Sequence, residues 1–195
     1  MNRTIPSTRA LPLALLACAL ALPACSSDDP EPTKEPAPAP EQTAADFFTC
    51  QDTDFSPSPF GGPGYDEAQG GLLGPAQDTY LTSVTLLQLE PEQAAADRFG
   101  ELVGAIVATL GSQDGLIGYA LGTSQQCGYA STITVWRDEE AMMRFVMSDA
   151  HAAAMSEATT ISAVGVVVSF ELPAAEVPIS WEAARARVLK EKTSY

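Results

Sequence analysis

The hydrophobic pattern between residues 80 and 172 predicts four strands, over residues 80–89, 116–122, 129–136 and 163–172. These segments are rich in Thr, Val and Leu, and apolar and polar residues alternate with a period of two in the third. Residues of helical periodicity separate the first strand from the second and the third from the fourth. The order β-α-β-β-α-β predicts an α+β, ferredoxin-like fold, in which a four-stranded antiparallel sheet carries both helices on one face.

Helix-terminal residues support this order. Pro91 suits the first position of a helix, and the apolar stripe that follows it ends at Gly111. Asp138 is a suitable N-cap for the second helix. Ser180 precedes an additional C-terminal helix, predicted over residues 181–192. The folded domain is thus predicted to span residues 79–195.

Residues 46–78 combine aromatic residues with many glycines and prolines, and we predict that they form an irregular strap. The glycine and proline content excludes long helices and strands, while the aromatic side chains require burial. The aromatic residues are Phe47, Phe48, Phe55, Phe60 and Tyr65. We expect the strap to lie over the domain with these side chains in apolar grooves. A lid over a ligand site is the alternative.

Two helices on one face leave the other face of the sheet uncovered. We expect Thr132, Thr134, Val166 and Val168 on that face. An apolar sheet face of several hundred Å² needs a cover on a soluble protein. A second subunit would provide it; the strap and the C-terminal helix of the same chain are the alternative.

The first 45 residues predict an export signal and a tether. Residues 1–24 combine a basic start with an apolar run too short to cross a membrane. In Leu22-Pro23-Ala24-Cys25, the cysteine resembles the lipobox of bacterial lipoproteins, in which the acylated cysteine becomes the mature N-terminus. Cys18 is an alternative that would leave an apolar mature end, and an ordinary cleaved signal is another.

Residues 25–45 contain five prolines and no large apolar residue, which is typical of an extended, disordered tether. The lipobox resemblance implies a protein that is lipid-anchored in the bacterial cell envelope. Ser26 after the cysteine resembles the signal for the periplasmic side of the outer membrane in hosts with two membranes.

Charge and cysteine content exclude several functions. The chain has 10 basic and 25 acidic residues and a formal net charge of −15, which excludes nucleic acid as a partner. Cys50 and Cys127 remain after Cys18 and Cys25 are assigned, and in an oxidising compartment they predict a disulfide. The single histidine, His151, and the absence of a CxxC motif predict no zinc site, so we expect no bound metal.

Part of the domain resembles the antibiotic biosynthesis monooxygenase-like superfamily of dimeric α/β barrels. The matching segments are Gly115-Leu116-Ile117-Gly118-Tyr119, Trp136-x-Asp138-Glu139-Glu140, and Phe145 with Ser148-x-x-His151. The resemblance covers roughly residues 78–172. It implies the ferredoxin-like fold, a homodimer, and a cleft between helices and sheet that binds a small apolar molecule. Some members oxidise such a molecule without a cofactor, and we expect no cofactor here.

The resemblance also implies site residues. His151 is the catalytic candidate, and the predicted binding-pocket residues are Tyr119, Trp136, Phe145, Met147 and Met155. Arg144 is a further polar candidate. Each has a structural alternative: His151 as a helix cap, Trp136 as a core aromatic, Arg144 as a solvated charge. Met143, Met147, His151 and Met155 would share one stripe only if their helix were continuous.

Two other functions remain open at this point. The domain could be a binding or interaction module without catalysis on the same scaffold. Heme-degrading members of the superfamily use a tryptophan and a histidine on the second helix and an asparagine on the first strand. Phe145, Met155 and Ser83 stand at these positions, so the heme motif is mostly absent.

Overall fold

The computed structural model describes residues 43–191. The predictions for the signal, for Cys25, for most of the tether and for residue 192 of the last helix lie outside this range. Among the described residues, no helix combines the length and the apolar character that a membrane span requires.

The predicted β-α-β-β-α-β order is confirmed, and the main sheet has five antiparallel strands in the order β1-β5-β6-β4-β7. The four long strands follow the ferredoxin-like order, and the short β1 comes from the strap and pairs with β5. The strands β2 and β3 form a separate hairpin within the strap. The strands are β1 (Ser56–Pro57), β2 (Tyr65–Asp66), β3 (Gly71–Leu72), β4 (Thr79–Leu89), β5 (Leu116–Ser124), β6 (Tyr129–Trp136) and β7 (Ser162–Pro173).

Six α-helices lie in the described part of the chain. They are α1 (Ala44–Phe47), α2 (Gln93–Leu110), α3 (Glu139–Val146), α4 (Asp149–Ser156), α5 (Ala158–Ile161) and α6 (Trp181–Val188). Asp138 caps α3 as predicted, since its side chain accepts a hydrogen bond from the Ala141 amide. Ser148 is extended and ends the helical path, so the second predicted helix is divided into α3 and α4. The last helix ends earlier than predicted, at Val188.

On one face of the sheet, α2 and α3 cover a compact aromatic core. Leu110, Leu116, Trp136, Ala141 and Phe145 are buried together there. Trp136 is completely buried and ends β6, where it pairs with Leu81 and Leu116 of the neighbouring strands. This face therefore has the helical cover that the sequence pattern predicts.

The strap and α6 cover the opposite face of the sheet. Phe55 and Phe60 of the strap and Trp181 of α6 pack against buried residues of the sheet. These include Val84, Leu86, Ile133, Val135 and Val166. The cover that we gave as the alternative to a second subunit is thus present within one chain.

Two of the four residues expected on that face lie there. Val166 and Val168 lie on it, opposite Leu86 and Val84. Thr132 and Thr134 point to the helices instead, since Thr134 accepts a hydrogen bond of 2.9 Å from the Trp136 indole. Residues two apart share a strand face, so the two threonines follow Trp136 into the helix-covered side.

Two attachments hold the start of the strap to the β5–β6 turn. The predicted disulfide between Cys50 and Cys127 is present, with the Cα atoms 5.6 Å apart. Asp54 accepts hydrogen bonds from the Ser124 hydroxyl and from the amides of Gln125 and Gln126. These hydrogen bonds hold the pKa of Asp54 below its usual value, and the bond from Ser124 has the largest effect.

Candidate functional site

Three of the predicted site residues form one aromatic stack on the helix-covered side. The rings of Trp136 and Phe145 are stacked with centroids 5.2 Å apart, and His151 meets Phe145 edge-on at 4.9 Å. Trp136 closes β6, Phe145 lies on the inner side of α3, and His151 lies in the first turn of α4. The stack is densely packed, and Trp136 and Phe145 are both buried.

The contacts of His151 are those of a packing residue. Its Nδ1 atom lies 3.1 Å from the Val146 carbonyl oxygen at the end of α3. A carbonyl only accepts hydrogen bonds, so Nδ1 carries a proton. Burial lowers the pKa of His151 and favours the neutral form, and the hydrogen bond to Val146 offsets part of this shift. The ring therefore provides a hydrogen-bond donor for a carbonyl group at the end of α3. It lines neither of the two cavities described below.

The methionines and Arg144 lie apart from this stack. Met147 and Met155 are 75% and 55% exposed. The break at Ser148 separates Met147 from α4, whereas Met155 lies on α4 four residues after His151. Arg144 is an exposed residue that pairs with Glu140 at 2.8 Å and with Asp114 at 3.2 Å. Neither methionine, nor Arg144, lines either of the two cavities described below.

Tyr119 lines an open cleft of about 460 Å³ on the helix-covered side, between α2, β5 and the strap. We call it the α2–β5 cleft. Its lining residues are Ser58, Pro59, Gly61, Gly62, Pro63, Val107, Gly111, Tyr119 and Leu121. None of these residues is charged, and the phenol of Tyr119 is the largest polar group among them.

The strap forms a fixed wall of this cleft. The amide of Tyr119 donates to Gly61 at 2.9 Å, and the amide of Gly61 donates back to Tyr119 at 3.2 Å. Ser58 makes a second reciprocal pair with Leu121, through its own amide at 2.7 Å and its hydroxyl at 2.9 Å. A freely opening lid would not be tied to β5 by four such bonds.

Sequence reasoning identified Tyr119 but missed the rest of the cleft. Val107 belongs to the apolar stripe of the first predicted helix, which is a signal for packing and not for a ligand. The wall residues 58–63 showed only the glycine and proline content of the strap. The contacts of the strap with β5 link residues about 60 positions apart, which local patterns do not reveal.

No group of three or more His, Cys, Asp or Glu residues that could hold a metal occurs within residues 43–191. The residues at the heme-motif positions also do not meet, because Phe145 is buried on Trp136 whereas Met155 faces solvent. The lining of the α2–β5 cleft offers apolar contact and the hydroxyl groups of Tyr119 and Ser58 for hydrogen bonding.

Residues 82–157 match the family model described as antibiotic biosynthesis monooxygenase. The match runs from β4 to the end of α4, so it excludes the strap, β7 and α6. No curated protein matches the chain.

Similar solved structures include three bacterial proteins. A protein of unknown function from Nitrosomonas europaea is 19% identical over 54% of this chain and 100% of its own, with a TM-score of 0.44. A proposed antibiotic biosynthesis monooxygenase from Caulobacter crescentus is 21% identical over 50% of this chain and 91% of its own, with a TM-score of 0.42. A proposed monooxygenase from Lactobacillus acidophilus is 18% identical over 49% of this chain, with a TM-score of 0.42. This chain spans only 46% of the length of that protein.

Proposed function

Since residues 82–157 of this chain form an antibiotic biosynthesis monooxygenase domain, we propose that it binds a small, uncharged, apolar molecule in the α2–β5 cleft. The observation that carries this proposal is the lining of the cleft, which has no charged side chain. Burying a charged group without a partner is costly, so an uncharged ligand is favoured. The Tyr119 phenol can orient such a ligand through one hydrogen bond.

Binding without catalysis is the form of this function that the geometry favours. General acid–base catalysis requires a group within hydrogen-bond reach of the substrate. His151 instead contacts Val146 and Phe145 and lies outside the lining of the cleft. Tyr119 is the ionisable residue of the lining, and its phenol is suited to orienting a ligand.

We further propose that the protein acts at the cell envelope, attached through an acylated Cys25. The tether after this cysteine would separate the domain from the membrane surface. A ligand that is sparingly soluble in water partitions into membranes, so a binding domain close to the bilayer is well placed to exchange it. The homodimer implied by the family stays a prediction, and any second subunit must bind elsewhere than the sheet face that the strap and α6 cover.

The test uses the full chain carrying Cys25→Ser and the neutral fluorescent probe phenylnaphthylamine. Val107→Trp should fill the cleft and weaken binding at least tenfold. Ala108→Trp is the matched control, because residue 108 is exposed on the same helix, and it should leave affinity unchanged. Tyr119→Phe should weaken binding roughly two- to tenfold, the range expected for one lost hydrogen bond.

His151→Gln separates binding from His-dependent chemistry. We expect this variant to retain the probe affinity of the unmodified chain. Equal affinities of the Val107→Trp and Ala108→Trp variants would refute the cleft as the site. A loss of affinity with His151→Gln at unchanged melting temperature would revive a site role for the histidine.

A further inference from the structure

A second, more enclosed cavity lies on the opposite face of the sheet, below the strap and α6. Its volume is about 290 Å³, and we call it the strap cavity. Phe55 of the strap and Trp181 of α6 contact each other edge-to-face, with centroids 5.2 Å apart, and both line it. The rest of the lining consists of Leu86, Tyr129, Ser131 and Val188 and the charged residues Asp52, Glu182 and Arg185.

The strap cavity is not part of the matched family domain. Phe55 precedes the matched residues 82–157, and Trp181 and Val188 follow them. Leu86 and Tyr129, which lie in the matched region, contribute only the floor on the sheet. The cavity exists because segments outside the matched residues cover this face of the sheet. Its ligand therefore cannot be deduced from the family.

A hydrogen-bonded group of three side chains fixes one side of the cavity. The Tyr129 hydroxyl donates to the Asp52 carboxylate, and the Nη1 atom of Arg185 donates to Asp52 at 3.2 Å and to the Tyr129 oxygen at 3.0 Å. The Arg185 guanidinium also lies 5.2 Å from the centroid of the Tyr129 ring. These bonds join the strap, β6 and α6 at one point.

The charges within this group of Asp52, Tyr129 and Arg185 largely cancel. The pKa of Tyr129 is raised to about 12, mainly by burial and secondly by the hydrogen bond to Asp52, so the phenol stays protonated. Asp52 and Arg185 form an ion pair, which cancels their charges to first order. The carboxylate of Glu182, an exposed residue, also lines the cavity and disfavours an anionic ligand, as does the net charge of −15.

We propose that the strap cavity is a binding site for an uncharged aromatic molecule with about two fused rings. Apolar cavities of about 150 Å³ in other proteins accommodate benzene, and this cavity is roughly twice as large. Phe55, Tyr129 and Trp181 provide ring faces and edges for stacking, which favours a planar ligand over an alkyl chain. This site does not depend on the α2–β5 cleft, which lies on the other side of the sheet.

The two tryptophans of the chain allow a direct test by NMR. Indole is the probe and indole-3-carboxylate is its charged analogue, both added to the oxidised full chain carrying Cys25→Ser. Indole should shift the indole N–H signal of Trp181, which lines the cavity, and leave that of Trp136 unshifted, since Trp136 is buried on the other face. The charged analogue should bind at least tenfold more weakly.

Two variants locate the probe. Ser131→Leu places a larger side chain in the cavity and should weaken indole binding at least tenfold. Val107→Trp fills the α2–β5 cleft and should leave unchanged the indole affinity measured from the Trp181 signal, so failure of one site does not imply failure of the other. Trp181→Phe assigns the shifted signal and retains an aromatic wall, which keeps the test open if Ser131→Leu does not fold.

Three outcomes would overturn the proposal. The first is no shift of the Trp181 signal at millimolar indole. The second is a loss of indole affinity with Val107→Trp but not with Ser131→Leu. The third is tighter binding of indole-3-carboxylate than of indole.

Discussion

His151 contributes to stability in a pH-dependent way because its environment favours the neutral ring. Burial lowers the pKa of the folded histidine, whereas in the unfolded chain the pKa stays near about 6.5. As the pH falls below that value, the unfolded chain takes up a proton that the folded chain resists. The free energy of unfolding therefore decreases with acidification until the pH reaches the folded pKa.

His151→Gln should remove this part of the acid sensitivity. Melting temperatures measured between pH 7.5 and 5.5 should fall less steeply for the variant than for the unmodified chain. The carboxylates whose pKa is lowered by hydrogen bonds, such as Asp54 and Glu157, titrate at lower pH and do not obscure this window. Parallel melting curves for the two proteins would show that the histidine is not held neutral by the fold.

Gly122 is a residue at which the strap approaches the sheet too closely for a side chain. A Cβ atom there would overlap the Phe55 ring and lie 3.2 Å from Trp181. Gly122→Ala should lower the free energy of unfolding by about 1–3 kcal/mol, the usual cost of overpacking.

Gly104→Ala is the matched control, since nothing lies within 4 Å of its Cβ position in α2. It should stabilise the protein by about 0.5–1 kcal/mol, as alanine does in a helix interior. Denaturant titration measures both, and a neutral or stabilising Gly122→Ala would contradict the close approach.

At the scale of elements, the strap depends on long-range attachments because it has little regular structure of its own. Its strands have two residues each, and an isolated hairpin of that size is not stable in water. The disulfide, the Asp54 hydrogen bonds and the aromatic insertions replace the missing backbone ladder. The strap should therefore be the first part of the chain to lose order when one attachment is removed.

Replacing both Cys50 and Cys127 by serine should destabilise the domain. The disulfide links residues 77 positions apart, and closing such a loop stabilises a protein by at most roughly 4–5 kcal/mol in the chain-entropy model. Hydrogen exchange should accelerate in the strap before it does in β4 and β6, which form the centre of the sheet. Uniform acceleration over the whole chain would indicate that the strap and the sheet unfold as one unit.

At the scale of the whole molecule, the proposed membrane attachment depends on a single residue, Cys25, outside the described range. We predict that Cys25→Ser moves the protein from the detergent phase to the aqueous phase of a cell fractionation, because several acyl chains hold a protein to a membrane and none remains in the variant. Cys18→Ser is the matched control and should leave the partition unchanged. If only Cys18→Ser releases the protein, the anchor is at the alternative position.

Several features follow from the sequence alone because they depend on neighbours along the chain. Strand alternation and helical periodicity predicted the order of the elements, and Asp138 predicted the start of α3. The Cys50–Cys127 disulfide was predictable because only these two cysteines remain once Cys18 and Cys25 are assigned to the predicted export signal. The family resemblance, carried by short motifs around Tyr119, Trp136 and His151, also needed no structure.

Only the tertiary structure decided which segments meet. Asp52 and Arg185 are 133 positions apart, and no periodicity indicates that their side chains share a hydrogen-bonded group with Tyr129. Local patterns predict the conformation of a segment but not the surface on which an irregular segment lies, because that choice depends on the packing of side chains from distant parts of the chain. The intrachain cover of the sheet, the exposure of Met147 and Met155, and both cavities were for this reason visible only in the folded molecule.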